Sequence, residues 1–121
     1  QIEKHYKAGS LKLFRIAFSK LDEKAQSKWL DKIYTDNRIQ FWDAAIKLLE
    51  EDHALIQRYA KKTYTDSNLT CFYILTQNMS DGLLEKWLDK ALKDKNLTFQ
   101  SVLFHAMDQD EAFEELLENG N

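Results

Sequence analysis

Residues 28–36 read KWLDKIYTD, and residues 86–94 read KWLDKALKD, 58 residues further on. In the first copy Trp29, Leu30 and Ile33 fall at helical spacing; in the second Trp87, Leu88 and Ala91 do the same. Lys and Asp occupy the positions between them. A segment of that kind turns Trp and Leu inward and leaves the charges in water, so both phrases read as amphipathic helix. How far the likeness extends around them decides the architecture.

It extends over most of the chain. Residues 11–60 lie on residues 69–118 without a gap, with twelve identities in 50 pairs, among them Phe14/Phe72, Trp29/Trp87 and Phe41/Phe99. Ordinary amino-acid usage would give roughly three. Apolar character also persists at Leu21/Met79, Ala25/Leu83, Ile39/Leu97 and Leu49/Met107. The pattern predicts an internal repeat with a period of 58. The expected fold is all-α: a compact array of about eight short helices in one domain over residues 1–121, built as two related four-helix units, about 11–62 and about 69–119.

Capping residues mark the expected helix starts. Ser10 precedes Leu11, Phe14, Phe18 and Leu21; Asp22 precedes Ala25, Trp29 and Ile33. Thr35-Asp36-Asn37 reads as a turn before Ile39, Trp42, Ala45, Ile46 and Leu49. Asp52 reads as the cap for Leu55, Ile56 and Tyr59, and the polar run 63–68 as a linker. In the second unit Ser80, Asn96 and Asp110 are the expected caps, with Gly120 ending the last helix. Residues 1–8, with Ile2 and Tyr6 four apart, read as a short leading helix.

Composition agrees with helices joined by short polar turns. The chain of 121 residues has no Pro and three Gly, and Pro and Gly are the usual punctuation of sheets and loops. Cys71 stands alone, so there is no intramolecular disulfide, and a reducing, cytoplasmic setting is favoured. The first residue is not Met, which leaves a processed, secreted form open. No apolar run approaches the ~20 residues of a membrane span. The net charge of −3 is unevenly spread: the first 96 residues hold all 17 Lys and Arg against 14 acids, and residues 97–121 hold six acids and no Lys or Arg. Nucleic acid and membrane are therefore not the expected partners.

Motifs for chemistry are weak. There is no Gly-rich phosphate loop, no nucleophile elbow and no paired Cys motif. Cys71 sits in LTCFYIL, an apolar context that suits an inert thiol. Glu50-x-x-His53 has di-iron spacing, but its counterpart is Asp108-x-x-Glu111, without His. His105 with Asp108 and Asp110 is a loose set of possible metal ligands. Asn68, Asn78 and Asn96 each fit the glycosylation acceptor pattern, but they also stand where helices start. The expectation is no catalysis, no cofactor and no metal.

Positions where the two units disagree point to partners. Trp42 aligns with Gln100, Phe18 with Thr76 and Tyr59 with Leu117. Two readings are open: burial at a junction between units, or an exposed aromatic patch that binds a protein. The acids Glu111, Glu114, Glu115 and Glu118 suggest a second surface, one that masks a basic partner. The expected function is a non-catalytic helical protein-binding module of the inhibitor or immunity type. A secreted or delivered helical effector that binds a host protein is the alternative, and a metal-binding helical protein the second.

Overall fold

The computed structural model describes the backbone of residues 1–119 and the side chains of residues 1–108. Among these residues there are eight helices and no strand: α1 Ile2–Ala8, α2 Leu11–Ser19, α3 Glu23–Asp36, α4 Ile39–Ile46, α5 Ala54–Thr65, α6 Leu69–Thr76, α7 Asp81–Lys93 and α8 Leu97–Asn119. None of them is long and apolar enough to cross a membrane.

Asp22, Ser80 and Asn96 form their expected caps, whereas Ser10 precedes α2 without a side-chain cap hydrogen bond. The Asp22 side chain accepts a hydrogen bond from the Ala25 amide, Ser80 from Leu83, Asn68 from Cys71 and Asn96 from Phe99, each satisfying a backbone donor the helix itself cannot use. Other boundaries differ from expectation. The cap of α5 is His53, whose Nδ1 accepts from the Leu55 amide at 3.0 Å. Asp52 instead takes a left-handed conformation, φ 58°. Its carboxylate accepts bonds from the Ser80 amide and hydroxyl. Residues 63–65 belong to α5 rather than to a linker, because Thr63 is fully buried and its hydroxyl donates to the Tyr59 carbonyl one turn back. Asp36 is likewise the last residue of α3. Asp110 starts no new helix, since α8 runs unbroken from Leu97 to Asn119. Gly120 lies outside the described residues.

Consecutive helices pair as hairpins, α1 with α2, α3 with α4, α5 with α6 and α7 with α8. In each connection one residue takes a left-handed conformation: Gly9, Asn37, Ser67 and Lys95, with φ between 55° and 77°. That conformation lets the chain turn back within two or three residues. The second helices then stack in order, α2 on α4, α4 on α6 and α6 on α8. The first helices form the other layer. One continuous core lies between the layers, with Phe14, Phe18, Leu30, Trp42, Tyr59, Phe72, Leu75 and Phe99 fully or almost fully buried in it. Helices of 7–14 residues, as α1 to α7 are, do not persist alone in water, so this shared core is what holds them.

Candidate functional site

The layer formed by α1, α3, α5 and α7 is tied together by one recurring device. Tyr6 of α1 donates its hydroxyl to Asp36 at the end of α3 at 2.6 Å, Tyr34 of α3 to Asp66 just after α5 at 2.8 Å, and Tyr64 of α5 to Asp94 just after α7 at 2.7 Å. Each carboxylate also pairs with the Lys four residues earlier: Lys32 at 3.4 Å, Lys62 at 3.8 Å and Lys90 at 3.3 Å. The same ammonium groups lie over the tyrosine rings at 5.3–5.6 Å. Burial, reinforced by the neighbouring carboxylate, pushes all three phenols up to about 12. The tyrosine hydrogen bond in turn holds the Asp36 and Asp94 carboxyls below the usual range.

A second tie exists between α3 and α5. The Tyr59 hydroxyl donates to the Ser27 carbonyl at 2.9 Å and to the Asp31 carboxylate, and Arg58 donates to the Ser27 hydroxyl at 2.8 Å. Tyr59 stands three residues before Lys62, and Asp31 three residues before Tyr34. Between α5 and α7 those same two places hold Trp87, three before Lys90, and Lys61, three before Tyr64. An indole has no hydroxyl to reach across, and an ammonium cannot accept a hydrogen bond. The second tie is absent there, and a groove of about 600 Å³ opens between α5 and α7.

Leu83, Trp87 and Tyr64 supply the apolar part of the groove, and Lys61, Lys86, Lys90 and Lys93 line it against a single acid, Asp89. Lys90 is engaged with Asp94, whereas Lys61, Lys86 and Lys93 make no ion pair among the described residues. Trp87 is 7% exposed, its ring packed 5.3 Å from that of Tyr64 and 5.7 Å from that of Phe72. The site is thus a shallow, positively charged trough with an apolar floor.

The aromatic residues singled out by the sequence do not form a surface. Phe18, Trp42 and Tyr59 are all buried, at most 1% exposed. Trp42 packs between the rings of Tyr34 and Tyr59, each 5.5 Å away, and its indole N–H donates to the Cys71 carbonyl at 3.2 Å. Phe18 stacks on Phe14 at 5.8 Å. The three rings are enclosed by the helices around them and form no exposed aromatic patch. The side chains of Glu111, Glu114, Glu115 and Glu118 lie outside the described residues, as does that of Asp110.

The remaining candidates are scattered. Cys71 is buried, and desolvation pushes its thiol up to about 11, away from nucleophilic use. His53 caps α5 and faces Glu23 at 3.6 Å, not Glu50. The His105 ring lies 5.9 Å from that of Tyr73. No three His, Cys, Asp or Glu gather into a metal-binding group among the described residues. The amides of Asn68 and Asn96 cap helices, and that of Asn78 donates to the Ile46 and Leu49 carbonyls.

Sequence reasoning missed the groove. Its signal was present in the phrase Tyr-Thr-Asp, which occurs at 34–36 and again at 64–66, a spacing of 30 rather than 58. Laid on that shorter spacing, Asp31 falls on Lys61, and the change of charge marks the groove wall. Compared with known proteins, the chain matches no family model, no curated protein and no solved structure.

Proposed function

We propose that the protein is a non-catalytic helical module that binds another protein, and that the trough between α5 and α7 is its binding surface. The observation that carries this reading is the missing second tie: where α3 and α5 are closed by Tyr59, Asp31 and Ser27, the α5–α7 pair stays open and presents three lysines without ion pairs among the described residues. Grooves between neighbouring helices are common recognition surfaces for protein segments. We further propose that the eight helices are four hairpins of 28–30 residues, which combine into the 58-residue period. Left-handed residues at 9, 37, 67 and 95 and three Tyr–Asp–Lys sets support it.

The test is retention of a partner from the native source on immobilised protein, compared with Lys86→Glu/Lys93→Glu. A protein held by the wild type and lost by the variant is the expected result. An unchanged set of retained proteins contradicts the groove as the binding surface.

A second reading places the contact at the end of α8. That helix has 23 residues against 13 in α7, a length greater by about 15 Å at 1.5 Å per residue. The acids Glu111, Glu114, Glu115 and Glu118 fall in the C-terminal half of α8 and suit a basic partner, in the manner of an inhibitor that masks a toxin or nuclease. Reversal of those four charges is expected to abolish binding of such a partner; binding that survives excludes this surface.

A further inference from the structure

We infer that the occupant of the α5–α7 trough is an acidic amphipathic protein segment, one that sets apolar side chains against Leu83 and the half-buried Tyr64 and carboxylates against Lys61, Lys86 and Lys93. The inference rests on the trough being a protein-binding surface and adds the chemistry of what it binds.

Charge selects the partner first. Four lysines against Asp89 make the lining cationic on a molecule whose net charge is −3, so the trough is a local reversal of the overall field. Lys61, Lys86 and Lys93 are exposed, and their stems can lie along apolar surface while their ammonium groups turn to a carboxylate. The floor then separates polypeptide from the other common polyanion, nucleic acid. Binding of single strands uses an open aromatic face on which bases stack. Trp87 offers no such face, because it is 93% covered by its surroundings, with Tyr64 and Phe72 against it. Tyr64 is also unsuited to stacking: its hydroxyl is held by Asp94, and the Lys90 ammonium lies over its ring. What remains is an apolar floor flanked by cations. That arrangement matches a helix or strand with leucine-like residues on one side and Glu or Asp beside them.

Length agrees. α5 and α7 have 12 and 13 residues, which gives the trough walls of about 18–20 Å. A segment of about a dozen helical residues spans that distance, and its acids can meet Lys61 on one wall and Lys86 and Lys93 on the other.

The experiment is a titration of the isotope-labelled full chain, followed by amide chemical shifts. Three probes are used: a synthetic twelve-residue helical peptide with Glu on one face and Leu on the other, the same peptide with every Glu replaced by Gln, and a single-stranded oligonucleotide. The expected result is that the Glu peptide shifts amides of residues 57–65 and 83–93, and that Lys86→Glu/Lys93→Glu weakens it roughly tenfold. Both lysines are exposed and outside the Tyr–Asp–Lys sets, so the variant is expected to keep the wild-type circular dichroism. Equal binding of the Gln peptide overturns the acidic chemistry and leaves the trough as a protein-binding surface. Shifts there from the oligonucleotide but from neither peptide overturn both readings. No shift there from any probe also overturns the inference.

Discussion

Tyr34 shows how much one side chain joins. It packs against Trp42, donates to Asp66 just after the next helix, and lies under the Lys62 ammonium. A hydrogen bond to a charged group contributes about 1.5–3 kcal/mol when well shielded, and this one is at the surface, so Tyr34→Phe is expected to cost about 1 kcal/mol near pH 7 in urea unfolding. The pH dependence has a definite sign. The folded protein holds the Tyr34 proton up to about 12 against 10.0 for an unperturbed phenol, so its contribution is complete below pH 10 and is lost between pH 10 and about 12. Asp36 and Asp94 act at the other end. Their carboxyls are held low, so their contribution is present above the ordinary carboxyl range and is lost as pH falls through their folded values. Urea midpoints measured at pH 8, 10 and 11 should fall less steeply for Tyr34→Phe than for the wild type. An alkaline decline of equal slope would show that the Tyr34 phenol does not carry it.

At the scale of elements, the links between hairpins are held by polar side chains rather than by turn glycines. Asn78 donates to both the Ile46 and Leu49 carbonyls, closing the open end of α4, and its own carbonyl accepts from the Asp52 amide. Asp52 in turn bonds the Ser80 amide and hydroxyl at the start of α7. Asn78→Ala takes the amide donor from the Leu49 carbonyl and one of two donors from the Ile46 carbonyl, and is expected to cost about 1–3 kcal/mol in urea unfolding. Asn78→Asp should cost at least as much, because a carboxylate cannot donate to them. A loss below 0.5 kcal/mol, on the order of an ordinary surface substitution, would mean that water replaces the amide. The helices themselves were legible: spacing placed Leu11, Phe14 and Phe18 on one face, and Asp22, Ser80 and Asn96 at their starts. The link at 47–53 was not. Asp52 has the composition of a cap, and only its contact with Ser80 across the next link reveals its other role.

For the whole molecule, one core shared by two helix layers makes the hairpins depend on each other. Trp42 stands near the middle of it, fully enclosed by rings from α3 and α5 and bonded to α6. Trp42→Ala is expected to cost about 3–5 kcal/mol, as for other buried aromatics. Circular dichroism and the fluorescence of the remaining Trp29 and Trp87 should still report a single coincident transition. Two separated transitions would show that the halves of the array unfold independently. The change at Trp42 from Gln100 in the alignment was visible in the sequence. Whether such a ring faces solvent or a neighbouring helix depends on which elements stack, and periodicity along one helix carries no information about that.

By itself the sequence determined that this protein is helical, where most of its helices begin, and which face of each helix is apolar, because those properties depend on spacing and on local hydrogen bonds along the chain. It also held the recurrence of Tyr, Lys and Asp. Only the tertiary structure decided what the recurrence does, since Tyr64 and Asp94 are 30 residues apart and meet only when α5 lies beside α7. The same stacking turned the phrase KWLDK from a pair of scaffold helices into two different surroundings. Around Trp87 its lysines border an open trough, because Lys61 and Trp87 stand where Asp31 and Tyr59 close the neighbouring pair.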